Sequence, residues 1–278
     1  MRILFFVLLT FFNVTMIFWM QGNPAYLYLD DSICESEDFR SMKLGPAWAE
    51  EGPVDCQKLA LQMAENGFDL TGFSDRNALE EKTLKEPVPG GRVVPFRVRA
   101  ALRQLSEYYE MLNSDLTCFP VPGSQKTETP DVAWEDSWQQ TRTYGGQRGH
   151  EGCDIMGADR ERGFYPILSI SSGVVEKKGW LEQGGWRVGI RTPSGMYVYY
   201  AHLYSYAPGL KEGDSVKAGQ LLGFMGDSGY GKEENTVGKF PVHLHLGIYL
   251  PAGKDGEISV NPYWILKRLE HRRPVFVY

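Results

Sequence analysis

The stretch that most constrains the fold is PVHLHLGIY, residues 241–249. Val242, Leu244, Leu246 and Ile248 recur at a period of two, the pattern of a strand with one face in a core. His243 and His245 then share the other face, with Cβ atoms about 7 Å apart. Two rings so placed can reach one point, and the chain holds only five histidines. A solvated strand face would leave the same trace. In a histidine-poor chain, however, a strand-borne His-x-His points at least as strongly to a metal.

The same alternation extends across the region around it. ILSISSGVVEKKGW, WRVGIRTPSGMYVYYAHLY and PVHLHLGIYL read as strands broken by Gly, Pro and Ser turns. They predict a mainly β, antiparallel domain from about residue 118 to 265, closed by a short helix in NPYWILKRLEHRR. Before it the period changes. Residues 53–70 read as a helix with Cys56, Leu59, Ala60, Met63 and Ala64 on one face. Residues 95–114 read as a second helix, started by Pro95 and striped by Val98, Leu102, Leu105, Tyr109 and Leu112. EPVPGG between them is a loop. The expected organisation is a segment 1–22, a small helical region 23–117 that acts as a spacer or a cover, and the β domain 118–278.

Segment 1–22 opens with Arg2 and an apolar run from Ile3 to Met20, at the lower limit for a membrane-spanning helix. No Ala-x-Ala cleavage site follows it. Its basic residue precedes the run, so an uncleaved signal anchor with the remainder exported is the expectation. A cleaved signal peptide and a secreted protein are the alternative. The formal charge of −6 and the absence of a basic cluster interleaved with aromatics argue against nucleic acid as a partner. Cys34, Cys56, Cys118 and Cys153 fit no zinc-finger spacing. They read equally well as disulfides, with three pairings open, or as buried thiols.

His150 lies in GQRGHEGCDIMG, four residues before Asp154. A catalytic zinc takes three protein ligands from His nitrogen and carboxylate oxygen and keeps one position open. His150, Asp154 and one histidine of the His-x-His fill that scheme. Cys153 points away from Asp154 if the segment is a strand, and reads as core. His202 lies in VYYAHLYSY, and His271 sits in a basic, solvated helix end.

Four motifs in order, HEGCD, YAHL, GDSVKAGQLLGFMGDSGY and HLH, make residues 140–262 resemble the lysostaphin-type, LytM-like zinc peptidases of peptidoglycan. The resemblance implies an antiparallel β-sheet metallopeptidase domain with one Zn2+ per chain, held by His150, Asp154 and His245. It implies His243 and His202 as catalytic histidines, and Tyr144 as a residue stabilising the reaction centre. His243 would move the proton of a zinc-bound water, while His202 and Tyr144 would hold the oxyanion. The implied activity is hydrolysis of peptide bonds in stem or cross-link peptides of bacterial cell wall. No helical His-Glu-x-x-His is present. KEENTVGKF, residues 232–240, departs from the family pattern and is expected to lengthen a groove-lining loop. The competing expectation is a LytM-like wall-binding or regulatory protein without catalysis. A four-ligand structural zinc site ranks below both, because it leaves histidines over.

Overall fold

The computed structural model describes residues 2–21, 29, 32–82, 96–252 and 256–278. Its helices are α1 (Arg2–Gln21), α2 (Glu37–Arg40), α3 (Gly45–Ala49), α4 (Cys56–Glu65), α5 (Arg76–Lys82), α6 (Phe96–Asp115) and α7 (Tyr263–Leu269). The first strands are short: β1 (Gly123–Ser124), β2 (Ala133–Trp134), β3 (Thr141–Arg142), β4 (Arg148–Gly149), β5 (Cys153–Met156) and β6 (Pro166–Leu168). Longer ones follow in β7 (Gly173–Leu181), β8 (Gly185–Arg191) and β9 (Tyr197–Tyr206). The chain continues through β10 (Ser215–Val216), β11 (Leu221–Met225), β12 (His243–Ala252), β13 (Gly256–Val260) and β14 (Val275–Phe276).

The main sheet runs in the order β10-β7-β8-β9-β12-β5-β2, with β13 paired to β12 and β11 to both β9 and β6. Every pair in it is antiparallel. The mainly β, antiparallel expectation for the C-terminal half therefore holds. β12 lies inside the sheet, and its alternation sorts its faces. Leu244, Leu246, Ile248 and Leu250 are fully buried, while His243, His245 and Tyr249 line a groove on the opposite face.

The two expected amphipathic helices are α4 and α6. Asp55 caps α4 by accepting from the backbone N–H of Gln57 and Lys58, and left-handed Gly67 follows its end, so the helix is shorter than 53–70. Buried Val98, Leu105, Tyr109 and Leu112 form the packed stripe of α6. Pro95 and the loop EPVPGG lie outside the described residues. The closing helix is α7, extended by a 3₁₀ turn over Glu270–Arg272.

The helical region is continuous with the β domain, because its apolar side chains join the same core cluster as those of the sheet. All four cysteines are free and buried, which selects the thiol reading. Burial pushes the Cys34 and Cys56 thiols up to about 12 and Cys118 to about 11. α1 differs from the rest, since its described side chains from Ile3 to Ile17 are exposed. Among the described residues no helix is long and apolar enough to cross a membrane. The single-pass anchor expected from residues 1–22 is therefore not shown.

Candidate active site and metal centre

Register places the first two groups of the site. His245 stands directly opposite Asp154 across the β12–β5 pair, so the two side chains share a face within contact distance. His150 arrives from the turn between β4 and β5. The result is a triangle: His150 Nε2 to His245 Nδ1 is 2.9 Å, His150 Nε2 to Asp154 Oδ1 is 3.0 Å, and His245 Nδ1 to Asp154 Oδ1 is 3.0 Å. Two bonds of about 2.0–2.1 Å meeting near 90° subtend about 3 Å, so this spacing and the N, N, O donor set fit one zinc-like ion. Among the described residues, these three are the group of His, Cys and carboxylate side chains that could hold a metal ion.

The surroundings hold these groups in ligand form. His150 Nδ1 lies 3.1 Å from the Ser137 carbonyl. A carbonyl only accepts, so Nδ1 carries the proton and Nε2 is free to ligate. Arg142 donates through Nη2 to Asp154 Oδ2 at 2.6 Å, leaving Oδ1 to the triangle. Gly152, inside HEGCD, makes room for the ring of His245. A Cβ there would sit 2.5 Å from His245 Cε1 and 2.7 Å from its Nε2.

His243 and His202 stand beside the triangle. His243 Nδ1 donates to the Pro241 carbonyl at 2.8 Å, and its bare Nε2 lies 3.8 Å from Asp154 Oδ1. His202 reaches the same face through a bulge. Val188 pairs with Tyr200 and Trp186 with Leu203, so two steps on β8 match three on β9. Strict alternation would turn His202 into the core. Instead Tyr200 and Leu203 are both buried in the core, and Ala201 and His202 both line the groove. His202 takes φ +63°, a left-handed conformation unusual outside glycine. Its Nδ1 donates to the Ser228 carbonyl at 2.7 Å, and Ser228 Oγ in turn bonds the Leu203 carbonyl and the Trp186 N–H. The GDSGY turn is thus what orients His202. The His202 and His243 rings are 4.7 Å apart.

Burial is the first cause of the shifts of His202, His243 and His245. It pushes His202 well below the ordinary histidine value, helped by the neighbouring His243 and His245. It lowers His243 and His245 as well, against the opposing pull of Asp154. Burial acts to raise Asp154, but the hydrogen bonds of His150 and His245 outweigh it and hold the carboxyl well below the usual range. The site favours neutral rings at His202, His243 and His245 beside an ionised carboxylate.

A groove of about 1290 Å³ surrounds these groups. Tyr144 lines it, stacked on Tyr230 at 4.5 Å, with its hydroxyl donating to Glu182 at 3.2 Å. The 232–240 segment contributes Phe240, whose ring lies 4.6 Å from His202 and 5.0 Å from His243. His271 lies away from the site, on the 3₁₀ turn after α7. Arg142, Ser137, Gly152 and Ser228 were not singled out from sequence. Only the two that sit inside quoted motifs, Gly152 and Ser228, carried any signal.

An antiparallel sheet carrying a His-Asp-His triangle with two further histidines, at the floor of an open groove, defines a metallopeptidase-type site. The chain belongs to peptidase family M23, whose model matches residues 148–262. A LytM structure from Ruminococcus gnavus ATCC 29149 is 38% identical, with a TM-score of 0.69, over 89% of this chain and 96% of that one. The match therefore reaches beyond the β domain into the helical region. The L-Ala–D-Glu endopeptidase of Bacillus subtilis (strain 168) is 45% identical over 152 residues, 55% of this chain and 43% of that protein. The glycyl-glycine endopeptidase ALE-1 of Staphylococcus capitis is 37% identical over 67 residues, 23% of this chain and 18% of that protein. The chain spans less than half the length of these curated relatives.

Proposed function

We propose that this chain is a zinc-dependent endopeptidase that hydrolyses peptide bonds of bacterial peptidoglycan outside the cytoplasm. The observation that carries this reading is the triangle of ligand atoms at 2.9–3.0 Å with the bare Nε2 of His243 turned towards it. His150, Asp154 and His245 would hold the ion. Zinc, when bound there, supplies a water of lowered pKa and polarises the substrate carbonyl.

His243 accepts the water's proton at Nε2 and returns it to the leaving amine. Its Nδ1–H is committed to Pro241, which fixes the tautomer for that task. His202 has the same tautomer, so its Nε2 becomes a donor to an oxyanion only when the ring is doubly protonated. With the rings 4.7 Å apart, repulsion opposes protonating both, and one proton serves the pair. Tyr144 would assist from the groove wall, where Tyr230 and Glu182 hold it. No described residue before Thr141 lines the groove, which favours a working site over a covered one. The exposed apolar face of α1 supports its role as a signal anchor or cleaved signal peptide.

The test is digestion of purified sacculi by the purified protein, with products identified by mass spectrometry. Soluble muropeptides are expected, with chelator abolishing them and zinc restoring them. Alanine at His150, Asp154 or His245 should remove the metal. His243→Ala and His202→Ala should keep it while losing about 10²- to 10⁴-fold in rate. Full activity in chelator, or wild-type rates in His243→Ala, would overturn the reading.

A further inference from the structure

The charges lining the groove do not balance. Its described carboxylates are Glu151, Asp154 and Glu257, and each already has a basic partner. Arg40 pairs with Glu151 at 2.6 Å, Arg142 with Asp154 at 2.6 Å and Arg191 with Glu257 at 2.7 Å. Three cations of the lining remain: Arg148, Lys177 and Arg187. They form no salt bridge among the described residues, in a chain whose net charge is −6.

The two arginines are also short of hydrogen bonds. Arg148 Nε and Arg187 Nη1 are shut off from solvent and have no partner. Buried N–H groups are almost always satisfied, and one left bare costs about 1–3 kcal/mol. Neither side chain is fully buried, and a guanidinium lining a groove is complementary to an oxyanion, which it takes through two parallel N–H bonds.

The floor between Arg187 and the metal triangle is built over glycines. Gly189 lies under the Tyr197 hydroxyl and Gly184 under that of Tyr199, so a Cβ at either would collide with the phenol. Tyr199 stands opposite both Gly189 on β8 and Gly247 on β12. Arg187 is thus two strands from His245, about 10 Å. That is the length of about three extended residues.

We propose that this cationic wall selects an acidic peptide, one carrying a free carboxylate within about three residues of the bond cut. The inference rests on the reading of the groove as a peptidase cleft. It distinguishes this chain's substrate from a neutral glycine bridge, which offers nothing to Arg148, Lys177 or Arg187.

The experiment uses two synthetic stem peptides containing an L-Ala–D-Glu bond, identical except that the free α-carboxylate of one is a carboxamide in the other. Pentaglycine is the neutral control. Binding is measured by calorimetry to the full chain carrying His243→Ala, and kcat/KM on the otherwise wild-type chain. The acid should bind about tenfold to a hundredfold more tightly than the amide. Arg187→Gln should remove most of that preference through KM, with bound zinc unchanged, and Arg187→Lys should restore part of it. Arg148→Gln and Lys177→Gln are the further variants should Arg187→Gln not fold. Equal binding of acid and amide, with both peptides cut, leaves the peptidase and overturns the acidic wall. An acid preference lost in Arg187→Gln, with no peptide or sacculus ever cut, overturns the peptidase and leaves the wall.

Discussion

Gly152 decides whether His245 can be a ligand. Its missing side chain is the space filled by Cε1 and Nε2 of the His245 ring and by the Leu246 carbonyl, so Gly152→Ala must displace the ring, the β12 backbone that carries it, or both. The expected outcome is a folded protein with metal affinity reduced at least tenfold, read by zinc titration against a chromophoric chelator; unchanged affinity would remove this role. Arg142 acts on the third ligand. With Arg142→Met, Asp154 Oδ2 loses its donor at 2.6 Å, and the carboxylate is free to turn. A 10- to 100-fold loss of metal affinity is expected, with partial recovery in Arg142→Lys. The His, Asp and His of the triangle were legible in sequence because imidazole and carboxylate announce metal chemistry at short spacing. Arg142 and the unpaired Arg148, Lys177 and Arg187 were not. They come from two hairpins, β3–β4 and β7–β8, and only the fold brings these to one groove.

Among the elements, β12 was read correctly from its period of two, because its core face is fully buried and its other face holds the site. β9 shows the limit of that method. Period two assigns His202 to the core, and a bulge overrides it. No residue within YAHL encodes a bulge; the carbonyl that holds His202 in its bulged position is that of Ser228, on a turn more than twenty positions away. Helix bounds shifted at α4 for the same kind of reason, since a cap and a left-handed glycine, not the apolar stripe, set its ends. Holding several neutral imidazoles in β9 and β12 has a thermodynamic consequence. His202, His243 and His245 have folded pKa values below the unfolded value of about 6.5. Between the two values the unfolded chain binds more protons, so stability rises with pH there. The metal-free protein should be at its most stable above about pH 6.5 and lose stability as pH falls, by up to about 1.4 kcal/mol per pH unit per histidine. Thermal melts in chelator from pH 7.5 to 5 measure this slope. His202→Gln should flatten it, and an unchanged slope would show that His202 is not buried neutral.

At the scale of the whole molecule, the helical region braces the sheet. Sequence could describe its helices but not their partners, because the side-chain hydrogen bonds that join them to the rest of the chain span 79 to 220 residues. Tyr108 on α6 donates to the Pro251 carbonyl at 2.7 Å. Arg40 bonds the Ser259 carbonyl at 3.0 Å and reaches Glu151, the neighbour of His150, at 2.6 Å. Arg268 on α7 is buried and gives its guanidinium to the carbonyls of Trp48, Glu50 and Gly52; burial lowers its pKa to about 10. Hydrogen bonds to a charged group contribute about 1.5–3 kcal/mol each, and removing their carbonyl partners leaves a buried cation bare. A cover and a brace then predict opposite results for one deletion. Removing residues 1–117 from a covered enzyme raises its rate on sacculi. Removing them from a braced one strips the partners of Arg268 and exposes core side chains of the sheet. We expect the second outcome: a melting temperature lower by about 10 °C or more, at roughly 2–4 °C per kcal/mol for a domain of this size, with reduced activity. Removing residues 1–28 alone, which leaves every one of these contacts in place, should change neither quantity. Faster digestion of sacculi by the 118–278 fragment, with an unshifted melt, would restore the cover.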